Sequence, residues 1–523
     1  MCVAGVAFLA WRARHLEDYT RRWIVSELSS FYGSQVDLGR LRVTLWPRVS
    51  VTGENLAIAG RAASPMAPPL IHIDRFVFHL GLRDALDVPH RIPSVRVENM
   101  TITIPAHGGK LGPKSTVTEE ELPNLVVGEI ICRNTDLVIL PADPKQEPLE
   151  WDIHDLVLRR VSAQHTFHFA GTLTNAKPVG EIATEGDFGP WVLDEPGTTH
   201  VAGAYNFQNA DLGPFPGIAG ILSSKGTYAG PLNRLEVQGE TDTPDFSLDK
   251  VGIPVPLHTE YSATVDGTTG DTFLHPVRAT LGKSLLIAEG KVARELGKPG
   301  HLISLSVSGP NARIQDLLKL AVKSEEPVLA GPARIKARLT LPPGKQKVIE
   351  RMILDGQVGV ADAHWSSPAI REKLESLSRH AEGKPSDADA GSSVSDLKGK
   401  FHLQQGEIHF SSLAFSVPGA AFDLTGQYGM QSGEIDFRGH LRMQAKLSQT
   451  VTGAKSFFLK AIDPFFKKDG AGAELPIRIE GTREHPAISV LGFRKTVKTA
   501  DSTDRPEDRQ KKEEKLDKKK SEN

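Results

Sequence analysis

The sequence has few of the residues from which disulfide, metal and nucleic-acid sites are built. It contains two cysteines, Cys2 and Cys132, which excludes a disulfide framework and a cysteine-based zinc site. Lys and Arg number 62 against 64 Asp and Glu, so no basic excess exists to neutralise nucleic-acid phosphates. We therefore expect no nucleic-acid partner.

Catalytic motifs are also absent from the sequence. The stretch GAGAE at 470–474 lacks the spacing and the Lys-Ser/Thr of a phosphate-binding loop, and no GxSxG nucleophile turn occurs. His72, Asp74 and His79 suggest a metal cluster, but strand spacing places the two histidines on opposite faces. We expect no enzyme activity, and we predict no catalytic residue, no metal ligand and no cofactor.

No hydrophobic run in the sequence is long enough to cross a bilayer by itself. Residues 2–11, CVAGVAFLAW, carry no charge, but a membrane helix needs about 20 residues. We interpret residues 1–14 as part of a transmembrane anchor, with an ordinary buried helix as the alternative. Arginines follow the run, among them Arg12 and Arg14, and positively charged residues beside a membrane helix tend to stay in the cytoplasm. The side of the membrane on which the rest of the chain lies therefore stays open at this point.

Alternation of apolar and polar residues is the pattern that dominates the rest of the chain. Ile435, Phe437 and Leu441 alternate with charged residues, and shorter examples are Val95/Val97 and Ile102/Ile104. Gly 48 and Pro 35 favour turns over long helices. These features predict a mainly β fold of antiparallel strands in an elongated array, with about 25 to 30 strands if they form one continuous sheet.

Helical periodicity is sparse. It predicts one helix at 15–32 and short helices at 314–323, 368–380 and 447–461. So few helices do not cover a long sheet. Either two sheets face one another, or one sheet curls and leaves its apolar face partly accessible.

Composition divides the chain into segments. After the anchor at 1–14 we expect a helix with a β module at 15–105, a polar loop at 106–124 and a repetitive β region at 125–380. A linker at 381–396 leads to a C-terminal β domain at 397–495. The charged tail at 496–523 is expected to be disordered.

Three parts of the sequence resemble the AsmA-like family of bacterial envelope proteins, which includes TamB- and YhdP-type members. They are the opening FYGSQVDLGRLRVTLWPRVSVTGENLAIAG (31–60), the succession of strands in 69–105, and the C-terminal portion 397–490 with TGAKSFFLKAIDPFFKKDGAGAELPIRIEGTREHPAISV. The middle, 106–396, is matched in style alone. The resemblance implies an inner-membrane anchor, a periplasmic body, and a curled sheet that forms an apolar groove.

Two functions are compatible with these observations. In the first, the protein binds or conducts acyl chains of phospholipid or another lipid in a β-groove and supports outer-membrane lipid homeostasis. The residues predicted to line that groove are Val95, Val97, Ile102, Ile104, Ile435, Phe437 and Leu441. In the alternative, the same residues form a closed core, and the protein is a scaffold or assembly factor for outer-membrane proteins, with envelope proteins as partners.

Overall fold

A computed structural model of the chain describes 20 stretches of the sequence. These are residues 17–30, 32, 34–44, 49–59, 68–80, 90–104, 125–141, 148–162, 165–192, 195–248, 252–295, 300–322, 329–365, 372, 375, 378–379, 381–382, 395–444, 472–482 and 485–491. The segments predicted at 1–14, 106–124, 447–461 and 496–523 lie outside the described residues.

Strands make up most of the described chain. The strands of the first half are β1 (Val36–Thr44), β2 (Val49–Ile58), β3 (Ile71–Leu80), β4 (His90–Ile104), β5 (Leu125–Ile139), β6 (Leu149–Val161), β7 (Phe167–Ala176), β8 (Val179–Phe188), β9 (His200–Asp211), β10 (Ile218–Ala219), β11 (Ile221–Pro231), β12 (Leu235–Thr243) and β13 (Ser247–Leu248). Those of the second half are β14 (Leu257–Val265), β15 (Thr272–Leu281), β16 (Ser284–Arg294), β17 (His301–Arg313), β18 (Leu329–Ala330), β19 (Pro332–Leu341), β20 (Ile353–Val360), β21 (His364–Trp365), β22 (Ser395–Gln404), β23 (Glu407–Val417), β24 (Ala420–Gly429), β25 (Glu434–Met443), β26 (Ala473–Thr482) and β27 (Pro486–Val490).

The helices are short. Helix α1 covers 17–30, α2 is Ile314–Ala321 and α3 is Val348–Arg351, with a 3-10 turn at Pro196–Thr198. The helices predicted at 15–32 and 314–323 are therefore confirmed within two residues at each end. The four-residue α3 has no helical periodicity of its own to predict it, since one turn is too short to show a repeat.

Among the described residues, one sheet of 23 strands contains every strand except four, which form the two small ribbons β10–β13 and β18–β21. Each strand of the large sheet pairs with the next one along the chain, and the sheet curls into a half-barrel. At about 4.8 Å between strands it extends about 105 Å. The predicted fold, mainly β with one curled sheet, is confirmed.

One strand pair departs from the antiparallel prediction. β4 and β5 are parallel, with His90 opposite Leu125 and Ile104 opposite Ile139. A parallel pair requires the chain to return to the end from which it started, which takes a connection of a dozen or more residues. Residues 105–124 are long enough for that connection, so the polar segment predicted there has a topological role.

Apolar side chains gather on one face of the sheet, here called the inner face. Cross-strand partners lie on the same face, and one row of such partners runs from the first strand to the last with a single interruption at the β14–β15 bulge. The row consists of Leu41, Gly53, Phe76, Val97, Cys132, Leu156, Gly171, Thr184, Tyr205, Gly226, Gly239, Tyr261, Val277, Ala288, Val307, Ala337, Gly356, Phe401, Phe410, Gly426, Phe437, Ile479 and Ile488.

Three asparagines with left-handed backbone change the period-two pattern near the N-terminus. Asn55, Asn99 and Asn134 have φ of 54°, 52° and 56°, a conformation that asparagine tolerates better than most residues. Asn99 donates to Asp74 at 3.1 Å and accepts from Asn134 at 3.3 Å, so the positions align across adjacent strands. On β2 and β4, the odd-numbered side chains before the asparagine and the even-numbered ones after it therefore share the inner face.

Aromatic rings on the inner face lie over glycines of the neighbouring strands. A Cβ on Gly53 would stand 2.1 Å from the Phe76 ring, and one on Gly226 would stand 2.9 Å from the Tyr205 ring. Because no side chain occupies these glycine positions, the rings lie flat along the sheet instead of rising from it. This packing lowers the floor of the inner face and lets the strands curl.

Candidate functional site

The seven predicted groove residues lie at the two ends of the sheet. Val97 is 5% exposed in a core at the N-terminal end, and Val95 and Ile102 pack against that core, while Ile104 is half-buried. Phe437 and Leu441 are 9% and 5% exposed in a separate core at the C-terminal end, with Ile435 packed against it. The structure places them in two groups, and their role as groove lining stays a prediction.

Helix α1 covers the inner face at the N-terminal end. Its Ile24 is buried together with Leu38 and Phe76. The guanidinium of Arg21 donates to the Leu38 carbonyl at 2.5 Å, and Glu17 accepts from the Val43 amide at 3.2 Å. These bonds occupy backbone groups on β1, which is an edge strand of the sheet, so α1 both caps the groove and protects its edge.

Helical segments also cover the inner face at the C-terminal end. Ile314 of α2 and the fully buried Ala381 belong to the same core as Phe437. Ser378 is fully buried and donates to the Pro418 carbonyl at 2.6 Å. We call these two closed regions, around α1 and around α2 and Ala381, the capped ends.

Opposite rims of the sheet meet over the groove at α3. The Val348 amide of α3 donates to the Pro216 carbonyl at 2.7 Å, although six strands of the sheet separate β9 from β19. Ile349 is 2% exposed and packs with Leu403 and Met430 of the inner side. Curling of the sheet brings the two rims together, and α3 bridges them.

A second crossing lies nearer the N-terminus. The Leu149 side chain of β6 lies 3.8 Å from where a Cβ of Gly270 would stand, in the turn between β14 and β15. His301 lies against the same glycine, and burial followed by the nearby Arg294 charge lowers the pKa of its imidazole. Both effects disfavour the protonated imidazole at this crossing.

Between the capped ends, the inner face of the central strands is partly exposed and still apolar. Its half-buried side chains belong to none of the buried cores among the described residues. They are Phe169, Leu173, Ile182, Phe207, Val237, Leu274, Val292, Ile303, Leu305 and Leu339. We call this set the open stretch. Large side chains of this kind are usually either packed or reserved for a ligand.

Hydroxyl groups interrupt the open stretch on β8 to β14. The Tyr228 hydroxyl lies 2.7 Å from Thr184 Oγ1, and the Tyr205 hydroxyl lies 3.0 Å from Ser224 Oγ and also contacts the Tyr261 hydroxyl. Burial raises the pKa of Tyr205 and of Tyr228. These five side chains form a neutral polar belt that can exchange hydrogen bonds with a polar group in the groove.

Sequence reasoning did not identify the open stretch. Val237 and Leu305 alternate with polar residues just as Val97 does. Alternation shows on which face of the sheet a side chain lies, but it does not show whether other residues cover that face. The left-handed asparagines did leave a signal in the sequence, a repeated motif in which Ile or Leu follows the asparagine by three residues: ENLAI, ENMTI, RNTDL and QNADL. The fourth example contains Asn209, which is also left-handed with φ of 54°.

The described residues contain no group of three metal-ligating side chains. His72 Nε2 instead lies 3.2 Å from Asp74 Oδ1, and the same carboxylate accepts a hydrogen bond from Asn99. Burial raises the pKa of the Cys132 thiol to about 12, so this cysteine is not a poised nucleophile.

Comparisons with known proteins add no relative: no family model matches the chain, and no curated protein matches it. No helix within the described ranges combines the length and the apolar character that a membrane crossing requires.

Proposed function

We propose that this protein binds lipid acyl chains along the open stretch, as a non-enzymatic envelope protein that supports outer-membrane lipid homeostasis. The observation that carries the proposal is the apolar, half-buried inner face of β7 to β19. An acyl chain would cover these side chains and remove their remaining apolar surface from water, at about 25 cal/mol per Å².

The shape of the groove supports a long, flexible ligand. Flat rings over Gly53 and Gly226 keep the floor low, and the crossings at Val348 and Leu149 hold the rims over it. The hydroxyl belt at Tyr205 and Tyr228 offers hydrogen bonds to a headgroup or ester. A groove of this kind needs no catalytic residue.

We propose that the anchor at 1–14 holds the protein in the inner membrane and that the rest of the chain lies in the periplasm. This part rests on the AsmA-like resemblance and on the apolar run of the sequence. This location would be tested by a reporter that is fused to the C-terminus and is active on only one side of the membrane. A cytoplasmic signal would contradict the proposed location.

Lipid binding is tested by identifying what co-purifies with the full chain extracted from a bacterial envelope. We expect phospholipid, detected by mass spectrometry, and we expect Leu305→Asp to lose it because a carboxylate in an apolar groove repels an acyl chain. Ser304→Asp is the matched control, since Ser304 is the preceding residue on β17 and faces outward. A folded wild-type protein without lipid, or equal loss in both variants, would contradict the proposal.

A scaffold role is the second candidate, and the last strand favours it. Among the described residues β27 pairs with β26 alone, and Ile488 and Leu491 are 58% and 42% exposed. An exposed apolar edge strand is a surface to which another chain can add a strand. Ile488→Lys should weaken cross-linking to envelope proteins without changing bound lipid, if this role is correct.

A further inference from the structure

A trough of about 990 Å³ lies across β16 to β24, and most of the residues that line it face outward. Lys336, Arg338 and Lys400 line it together with Gln357 and three serines. Two carboxylates, Glu289 and Asp355, also border it. It lies on the face opposite the open stretch and is separate from the proposed groove.

Four cations in this region flank two positions on β20, Gln357 and the bare Gly359. Lys336 is opposite Gln357, which is opposite Lys400, and Arg334 is opposite Gly359, which is opposite Lys398. With about 4.8 Å between strands and about 3.3 Å per residue along them, their Cα atoms mark a rectangle of about 10 by 7 Å. All four side chains are exposed.

The midpoint of one long side of this rectangle, Gly359, carries no side chain. A Cβ on Gly359 would meet nothing nearer than the Leu397 carbonyl at 4.0 Å. Other strand glycines such as Gly226 are tightly covered, with a backbone oxygen 2.3 Å from the same position. The glycine thus leaves space above the sheet between Arg334 and Lys398, on the side of the rectangle away from Gln357.

The carboxylates of the trough do not neutralise this group. Asp355 accepts from His402 Nδ1 at 2.7 Å, and the hydrogen bond raises the pKa of that histidine. Within the described residues, no ion pair joins a carboxylate to Arg334, Lys336, Lys398 or Lys400. Grouping like charges in this way destabilises a sheet unless an anion offsets their repulsion.

We propose that Arg334, Lys336, Lys398 and Lys400 form an anion site for a phosphoryl-bearing ligand, seated over Gly359. Lysine and arginine are the usual ligands of phosphate oxygens, and the guanidinium can bind two oxygens at once. The rectangle is wider than one phosphate, so a diphosphate or a headgroup with two phosphoryl groups fits it best. Gln357 supplies a further amide donor at its edge.

The site is tested by calorimetric titration of the full chain with pyrophosphate. We expect saturable binding that weakens about tenfold or more in Lys336→Gln/Lys400→Gln, which removes two charge-assisted contacts. Arg91→Gln/Arg96→Gln removes the same charge from exposed positions on β4 and should change the affinity less than about twofold. Far-UV circular dichroism checks that each variant is folded.

Two outcomes would overturn the site. One is the absence of saturable pyrophosphate binding by the wild-type chain, and the other is equal weakening in both double variants. Sedimentation with phosphatidylglycerol vesicles, against phosphatidylcholine vesicles, identifies the source of the phosphoryl group. Loss of vesicle binding in Lys336→Gln/Lys400→Gln alone supports a lipid headgroup, and unchanged vesicle binding beside lost pyrophosphate binding supports a soluble anion.

Discussion

The capped ends and the open stretch use one inner face in two different ways. At the ends, α1 and the segment around Ala381 bury side chains such as Leu38 and Ile477, which are 1% and 0% exposed. Along the open stretch, Val237 and Leu305 have the same apolar character and remain half-buried. The strands are alike, and the difference lies in what covers them.

This difference separates stability from function. A side chain that neighbouring residues surround contributes its full burial to folding, whereas a half-exposed one retains surface that a ligand can still cover. Phe437, 9% exposed in the C-terminal core, belongs to the first kind. A charge at Phe437 would damage the fold, so lipid binding is better tested at Leu305.

The largest expected effect comes from truncating a side chain in a capped end. Ile477→Ala should lower the free energy of unfolding by about 2–5 kcal/mol, because it leaves a cavity in a closed core. Leu305→Ala should cost roughly 1–2 kcal/mol, since that side chain is already partly exposed. Denaturant unfolding monitored by circular dichroism gives both values, and equal losses would contradict the distinction between the regions.

A smaller effect is expected from filling a glycine position. An alanine Cβ at Gly226 would lie 2.3 Å from the Gln238 carbonyl, so Gly226→Ala should cost about 1–3 kcal/mol. At Gly399, in the C-terminal capped end, the nearest atom would be 3.4 Å away, and Gly399→Ala should change stability by less than about 0.5 kcal/mol. Unfolding midpoints measure the pair, and a neutral Gly226→Ala would show that the rings do not need bare glycines.

Asn99, one of the three left-handed asparagines near the N-terminus, should contribute about 1–2 kcal/mol to the free energy of unfolding. Asn99→Ala places an alanine at φ of 52° and also removes the hydrogen bond to Asp74. Asn99→Gly tolerates that backbone and should recover most of the conformational part of the loss. If both variants lost the same stability, the hydrogen bonds and not the left-handed backbone would be responsible.

The smallest expected effect is the pH dependence of stability that two histidines with opposite pKa shifts produce. His301, half-buried at the second crossing, has a lowered pKa, so its contribution to stability is present above the unfolded value of about 6.5 and is lost as pH falls through its folded pKa. His402, bonded to Asp355 on the outer face, has a raised pKa. Its contribution is present below about 6.5 and is lost as pH rises through its folded pKa.

Proton NMR titration of the two imidazoles should therefore give midpoints on opposite sides of 6.5, the usual value for histidine. Replacing Asp355 with Asn should move the His402 midpoint down and leave that of His301 unchanged. A His301 midpoint at or above the usual value would show that water reaches the crossing freely.

Much of the fold could be predicted from the pattern along single strands. Alternation at Ile435, Phe437 and Leu441 identified a strand and the face on which its apolar residues lie. The scarcity of helical periodicity was compatible with two facing sheets or with one curled sheet, and the structure has the curled sheet. The pairing of Val95/Val97 with Ile102/Ile104 on one face does not follow from a strict period of two, because it depends on the left-handed Asn99.

The sequence by itself determined that this chain forms strands with one apolar face and lacks the motifs of common catalytic sites, because both properties depend on neighbouring residues. Tertiary structure alone decided which apolar side chains are capped and which stay open, because curling and the rim crossings join segments far apart, such as Pro216 and Val348. The four cations around Gly359 also come together only through strand register, which aligns Lys336 with Lys400 across β20. Register is set by long-range pairing, and no local pattern contains it.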